Sequence, residues 1–177
     1  MVLGSGAREH AITKTLFNSK HEKKLFCIGI GHNPGIFKLC QDYIVGDYND
    51  ADFVVNYAKE HNVKIVIIGP ENPLEAGIAD ALLLSGVDVI GPRKELAMIE
   101  SSKTFTRDLQ KEFNIPGAPK YRPFSSMLGV EDYFSELGND FVIKYDGLAG
   151  GKGVKVFGEH IHSKADGLSF CEDIVLG

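Results

Sequence analysis

Short apolar runs alternate with segments of helical period through about the first hundred residues, a pattern typical of βαβ units and a doubly wound parallel sheet. We expect five strands here, at Met1–Leu3, Leu25–Ile30, Tyr43–Val45, Val63–Ile68 and Val87–Ile90. Val63–Ile68 is an unbroken, mostly β-branched run. This composition predicts that it is the central strand of the sheet.

Helical periodicity separates these strands. The pattern predicts helices over Arg8–Phe17, Asp50–His61 and Pro73–Leu84. Asn49 or Asp50 is placed to begin the second of these helices, and Gly86 to end the third. The fold class predicted for this part of the chain is therefore α/β.

The pattern changes after Pro92. Ser101 or Ser102 predicts the start of a helix that ends at Phe113, and Ile115–Pro119 predicts a stiff turn. Beyond it the periodicity favours a helix, two strands flanking a glycine-rich loop, and a last helix, at Val130–Leu137, Phe141–Tyr145, Val154–Phe157 and Ala165–Leu176.

We divide the chain into a first domain at 1–92, a helical linker at 93–119 and a partial second domain at 120–177. The last helix carries an apolar face that needs a larger sheet to cover it than two strands supply. We therefore expect these residues to be an amino-terminal piece of a longer protein.

Composition excludes several classes of protein. No apolar run approaches the length needed to cross a bilayer, and a net charge of −5 argues against binding nucleic acid or an anionic membrane. Three cysteines without CxxC spacing favour reduced thiols over a disulfide framework or a zinc site. The chain begins without the zones of a secretory signal, so we expect a cytoplasmic location.

Residues 4–10 (GSGAREH) place two glycines and polar side chains where the first strand turns into a helix. Free amides and the positive end of the helix favour a phosphate there, and the guanidinium of Arg8 adds a bidentate partner. The dinucleotide fingerprint has a third glycine where this chain has Glu9, and an acid after the second strand where it has residues 29–32. Nicotinamide binding is therefore disfavoured, while a merely structural tight turn stays open.

Two more loops follow strands of the same predicted sheet, at 31–35 (GHNPG) and 69–74 (GPENPL). Ligands of open α/β sheets bind at the carboxyl ends of the strands, so three loops converge on one edge. Glu71 is suited either to accept hydrogen bonds from sugar hydroxyls or to cap the next helix. His10 and His32 are candidates for acid–base chemistry, although a lone histidine is more often structural.

The loop between the last two strands holds four glycines and Lys152, and Lys144 ends the strand before it. Such a loop folds over a polyphosphate with its amides and ammonium groups facing the anion. It is not a Walker loop, because Ser or Thr does not follow the lysine. A flexible hairpin with solvated lysines is the alternative. Lys103 adds a cation near a helix start, where the helix dipole opposes it.

In combination these motifs resemble the glycinamide ribonucleotide synthetases (phosphoribosylamine–glycine ligases), a family of ATP-grasp ligases. Residues 4–11 are similar to the family's Gly-x-Gly-Gly-Arg-Glu-His-Ala, with Ala7 in place of one glycine. Residues 69–77 are similar to its Gly-Pro-Glu-x-Pro-Leu-x-x-Gly, 91–105 to its Phe-Gly-Pro to Glu-x-Ser-Lys-x-Phe stretch, and 146–154 to its Asp-Gly-Leu-Ala-x-Gly-Lys-Gly-Val lid.

The resemblance implies a pre-ATP-grasp domain followed by part of an ATP-grasp lid domain. It further implies an enzyme that ligates glycine to 5-phosphoribosylamine with ATP, through glycyl phosphate. The residues implied to bind phosphoribosylamine are Gly4, Ser5, Gly6, Arg8, Glu9, His10, Asn33, Gly35 and Glu71. Those implied to bind ATP are Lys103, Lys144, Gly147, Gly150, Gly151, Lys152 and Gly153.

The family's magnesium or manganese ligands are expected beyond residue 177, so the resemblance implies no metal ligand in this chain and no catalysis by these residues alone. No residue here is an evident general base, and the oligomeric state stays open. Two alternatives also remain: another ATP-grasp carboxylate–amine ligase or formate-dependent transformylase, and a non-catalytic nucleotide-binding module.

Overall fold

The computed structural model describes residues 1–176, and the chain divides into two compact units, Met1–Glu100 and a second from Ser101 onward. Each unit is built on its own sheet. The predicted domain bounds at 92 and 119 stay a prediction, but a helix beyond residue 92 packs Ala97 into the core of the first unit.

The first unit contains a parallel five-stranded sheet, which confirms the predicted fold class. Its strands are β1 (Val2–Leu3), β2 (Phe26–Gly29), β3 (Asp42–Val45), β4 (Ile65–Ile68) and β5 (Asp88–Ile90), in the order β3-β2-β1-β4-β5. The prediction that Val63–Ile68 is central is wrong, because β1 occupies the centre and β4 lies between β1 and β5. Two buried residues suffice for β1, since neighbours pair with it on both sides.

The helices of the first unit cover both faces of this sheet. They are α1 (Ala7–Asn18), α2 (Pro34–Phe37), α3 (Ala51–Glu60), α4 (Glu71–Ala76), α5 (Ile78–Leu84) and α6 (Lys94–Ser101). Residues of α3 and α5 pack with Leu3 and Ile28 on one face, whereas Ile36 of α2 packs with Cys27 on the other. The α2 and α6 helices were not predicted from the pattern.

The predicted continuous helix over Pro73–Leu84 is also wrong, because it is two helices. Gly77 has φ of 88°, in the left-handed region that favours glycine, and it separates α4 from α5. By contrast Asp50 begins α3 as predicted, and its side chain accepts a hydrogen bond from the amide of Phe53 at 3.1 Å.

The second unit contains α7 (Lys103–Glu112), α8 (Val130–Leu137), β6 (Val142–Lys144), β7 (Val154–Val156) and α9 (Lys164–Leu176). The two strands pair antiparallel, with Lys144 opposite Val154, which confirms the predicted hairpin around the glycine loop. A small core of Val130, Phe134, Phe141 and Cys171 joins α8 and α9 to this hairpin. None of the helices described in residues 1–176 combines the length and apolarity that a bilayer span requires.

Candidate functional site

The first turn of the first unit runs from the end of β1 into α1. Gly4 has φ of 121°, a value that side chains rarely adopt, and its amide donates to the carbonyl of Ile28 at 2.9 Å. Gly6 is the N-cap residue of α1, and its amide donates to Oε2 of Glu9 at 2.7 Å. The carboxylate of Glu9 thus satisfies a free amide at the helix start.

Glu9 lies beneath this turn rather than on its surface. It is 4% exposed, and its side chain occupies the space that a Cβ atom would take at Gly4, Gly6 or Gly69. At Gly69 an added Cβ would lie 2.7 Å from the carboxyl carbon of Glu9. These three glycines therefore let the first turn and the loop after β4 close around one buried carboxylate.

The loop after β2 is joined to the first turn by Asn33. Its Nδ2 donates to the carbonyl of Ser5 at 2.9 Å, while its Oδ1 accepts from the amides of Gly35 and Ile36 at the start of α2. A Cβ at Gly35 would overlap the imidazole of His10, so this glycine gives His10 its place. The predicted residues of the two loops thus form one packed group.

The loop after β4 reaches the same group through Glu71. Its Oε1 accepts from Nη2 of Arg8 at 3.0 Å. Its own backbone amide at the start of α4, followed by the hydrogen bond from Arg8, lowers the pKa of Glu71 below its usual value. Glu71 is therefore ionised at neutral pH, and it both interacts with a helix start and faces Arg8.

Two tyrosines lie in β3 and in the loop that follows it, at this edge of the sheet. The hydroxyl of Tyr43 donates to the carbonyl of Gly31 and accepts from the amide of Asn33 at 3.2 Å. Tyr48, in the loop after β3, is buried, and its burial together with the charges of Glu9, Asp47 and Glu71 raises its pKa. Sequence reasoning missed both tyrosines, because Tyr43 occupies an ordinary strand position and Tyr48 an ordinary loop position, and neither belongs to a motif.

The arrangement is suited to an anion. The Arg8 side chain is 61% exposed, and it lies at the start of α1, where the helix dipole is positive. The carboxylate of Glu71, 31% exposed, lies beside it as a hydrogen-bond acceptor. A molecule that carries both a phosphate and hydroxyl or amino groups matches this pairing of a cation with an acceptor.

In the second unit the glycine-rich loop joins β6 to β7. The amide of Lys152 donates to the carbonyl of Ala149 at 2.9 Å, and Gly150 and Gly151 have φ of 53° and 79°. This turn requires the left-handed conformation at two successive residues, which glycine supplies. Lys144 and Lys152 are exposed, so their ammonium groups are accessible to a polyphosphate.

The base of this loop is fastened to the start of α7 by Asp146, a contact that the motif did not reveal. One oxygen of Asp146 accepts from the amides of Lys103 and Thr104, the latter at 3.2 Å, and the other accepts from the hydroxyl of Ser102 at 3.3 Å. Partial burial alone would raise the pKa of Asp146, but these hydrogen bonds outweigh it and lower the pKa. Nζ of Lys103 donates to the carbonyl of Gly147 at 2.9 Å.

The structure therefore brings all nine residues proposed for phosphoribosylamine to one edge of the first sheet, and it ties Lys103 to the glycine loop in the second unit. Their roles toward a ligand stay predictions. Among residues 1–176 there is no group of three His, Cys, Asp or Glu side chains placed to hold a metal ion.

Two family models match the chain. The model described as phosphoribosylglycinamide synthetase, N domain, matches residues 1–100, and the model described as phosphoribosylglycinamide synthetase, ATP-grasp (A) domain, matches residues 101–176. The boundary between the two matches coincides with the division of the structure after Glu100.

Similar proteins include two phosphoribosylamine–glycine ligases. The one from Methanosarcina barkeri is 41% identical over 91% of this chain and 37% of its own length, and the one from Methanocella arvoryzae is 40% identical over 99% of this chain and 40% of its own length. The chain thus spans about two fifths of these relatives.

Solved structures share the fold. A crystal structure of the ADP complex of an N5-carboxyaminoimidazole ribonucleotide synthetase matches 98% of this chain and 43% of its own with a TM-score of 0.74 and 17% identity. The phosphoribosylamine–glycine ligase of Thermotoga maritima matches 95% of this chain and 37% of its own with a TM-score of 0.68 and 24% identity.

Proposed function

Because the chain belongs to the phosphoribosylglycinamide synthetase family, we propose that it is part of a ligase that joins glycine to 5-phosphoribosylamine with ATP. The observation that carries the proposal is the joining of three loops at one sheet edge around Arg8 and Glu71. The family match over both units favours this reaction over a formate-dependent transformylase or a non-catalytic nucleotide-binding module.

The reaction has two steps. A carboxylate oxygen of glycine attacks the γ-phosphorus of ATP, the bond from that phosphorus to the β,γ-bridging oxygen breaks, and ADP leaves. The amine of phosphoribosylamine then attacks the carbonyl carbon of glycyl phosphate, phosphate leaves, and the amine loses a proton. Phosphorylation supplies the leaving group that a free carboxylate lacks.

The first unit supplies the phosphoribosylamine site in this proposal. The amides of Gly4 and Gly6 are already donated to Ile28 and Glu9, so the guanidinium of Arg8 and the positive start of α1 bind the phosphate while Gly4–Gly6 shape the turn beside it. Glu71 accepts hydrogen bonds from ribose hydroxyls or orients the amine. Asn33 holds the first turn against α2, and His10 is held by Gly35 at the same edge.

The second unit supplies part of the ATP site. Lys144, Lys152 and the amides of Gly147–Gly153 bind phosphates, and Lys103 links the loop to α7. The exposed lysines and the left-handed glycines fit a loop that folds over a polyphosphate.

The proposed phosphate site is tested with Arg8→Ala in the full-length protein, with Arg93→Ala as a control for loss of an exposed guanidinium. A hydrogen bond between charged groups contributes about 1.5–3 kcal/mol, so we expect the KM for phosphoribosylamine to rise about 10- to 150-fold. The KM for ATP should be unchanged. Equal effects of the two variants would contradict the assignment.

A further inference from the structure

We propose that Glu9 is a positioning residue for Arg8: when a phosphate binds, Arg8 leaves Glu71 for the phosphate, and its long contact with Glu9 shortens to a hydrogen bond. This inference rests on the phosphoribosyl site of the proposed function. Arg8 lies between two carboxylates: its Nη2 donates to Oε1 of Glu71 at 3.0 Å, and its Nε lies 3.5 Å from Oε1 of Glu9.

The first observation is an unsatisfied oxygen. In the part of the chain that the structure describes, Oε1 of Glu9 is the buried side-chain polar atom that makes no hydrogen bond. Its contact with Nε of Arg8, at 3.5 Å, is an ion pair longer than an ordinary hydrogen bond. Leaving a buried acceptor unsatisfied costs about 1–3 kcal/mol, and more for a charged group. The structure therefore holds a site ready to accept one more hydrogen bond.

The second observation is that Glu9 is fixed. Its Oε2 accepts from the amide of Gly6, and the backbone of Gly4, Gly6 and Gly69 lies close around its side chain. Glu9 has no room to approach a donor. The missing hydrogen bond must therefore come from a donor that moves closer, and Arg8, whose side chain is 61% exposed and already lies beside Oε1, is placed to supply it.

Binding of a phosphate would move the side chain of Arg8. An incoming phosphate competes with Glu71 for the guanidinium, because a dianion binds it more strongly than one carboxylate. Rotation of Arg8 toward the phosphate keeps Nε–H available for Glu9, whose orphan oxygen then becomes satisfied. The same rotation releases the carboxylate of Glu71 to accept hydrogen bonds from the ligand.

The two carboxylates thus have different roles. Glu9 is buried and positions the guanidinium of Arg8. Glu71 is partly exposed and accepts hydrogen bonds from the ligand once Arg8 no longer binds its carboxylate. Anchoring through Nε also explains why an arginine rather than a lysine suits this position, since lysine has a single nitrogen and cannot bind Glu9 and a phosphate with separate edges.

Glu9→Gln in the full-length protein tests the inference. Glutamine keeps the volume, and its amide oxygen still accepts from Gly6, but its NH2 group then faces Nε of Arg8. We expect the Kd for ribose 5-phosphate to rise about tenfold, which is the scale of one charge-assisted hydrogen bond. The Kd for ATP should not change, and Glu75→Gln, an exposed carboxylate on α4, should change neither.

The comparison that isolates positioning repeats Glu9→Gln in an Arg8→Lys background, where no Nε remains. We expect Glu9→Gln to change the Kd by less than about twofold there. If Glu9 acts through its contact with Nε of Arg8, removing that nitrogen already removes the contact, so the second substitution has little left to change. An equally large effect in both backgrounds overturns the inference and makes Glu9 a structural residue. Thermal unfolding of each variant separates a folding defect from a binding defect.

If Glu9→Gln does not fold, the contact between Arg8 and Glu9 is followed in the wild-type protein by NMR. Titration of the arginine-¹⁵N-labelled protein with ribose 5-phosphate should shift the Arg8 Nε–H resonance and slow its exchange with water. An unchanged resonance in a protein that binds ribose 5-phosphate overturns this inference alone. Failure of the wild-type protein to bind ribose 5-phosphate overturns it together with the phosphoribosyl site of the proposed function.

Discussion

Gly69→Ala tests whether the first turn and the loop after β4 close around Glu9. The backbone of Gly69 is not in the left-handed region, so alanine is not excluded by its conformation. The added Cβ would instead overlap Cγ and Oε1 of Glu9 and lie 2.7 Å from its carboxyl carbon. Either the backbone at residue 69 or the side chain of Glu9 therefore has to shift.

The expected cost follows from this overlap. Inserting a methyl group into a packed interior destabilises a protein by about 1–3 kcal/mol. If the shift breaks the hydrogen bond from Gly6 to Glu9, the loss of that helix cap adds about 1 kcal/mol. In a Glu9→Ala background the space is empty, so the further cost of Gly69→Ala should fall below about 0.5 kcal/mol.

Urea unfolding of the four proteins of this cycle, with hydrogen exchange of the α1 amides as a local probe, measures these free energies. Gly31→Ala is the matched control, because Gly31 also follows a strand of the sheet but an added Cβ there meets no atom within 4 Å. Its free energy of unfolding should change by less than about 0.5 kcal/mol. Equal costs at Gly69 and Gly31, or an undiminished cost without Glu9, would refute the packing described here.

Lys144→Ala should weaken ATP binding by the full-length protein about tenfold without changing ribose 5-phosphate binding, whereas Lys111→Ala should change neither, as titration calorimetry would show. Asp146→Asn should lower the stability of the second unit by about 0.3–1 kcal/mol near neutral pH. Because the pKa of Asp146 is lowered in the folded protein, this difference should vanish as pH falls through the folded value; a difference that persists in acid would contradict it. Burial raises the pKa of Cys27 to about 12 and that of Cys40 to about 11, so little thiolate is present at either residue at pH 8. Alkylation of these two thiols by iodoacetamide at pH 8 should therefore be slow until urea unfolds the protein.

Local chemistry made much of the fold predictable. Alternating apolar runs and helical segments predict the α/β class, and Asp50, Ser102 and Gly86 mark helix ends because each supplies a cap or a left-handed turn. The position of β4 was mistaken because periodicity reports which strands are apolar, not which strands pair with which. The break at Gly77 was missed because one glycine within a helical pattern is compatible with an unbroken helix.

The candidate site was predictable as a set of loops but not as a set of contacts. The motifs placed Arg8, Glu9 and Glu71 at strand ends, and the parallel topology brings those ends together. That Glu9 is buried, whereas Glu71 is partly exposed, depends on three glycines in two loops that make room for the Glu9 side chain, and a sequence pattern does not resolve this. The attachment of Asp146 to α7 joins residues more than 40 positions apart and is likewise a tertiary feature.

ADP release by the full-length protein tests the central claim most directly. ATP is supplied with glycine alone, with phosphoribosylamine alone, and with both, the phosphoribosylamine being generated in place because it is unstable. The proposed function predicts sustained release only when both are present. Sustained release with one of them, or with a different acceptor, would contradict the assignment of Arg8 and Glu71 to phosphoribosylamine.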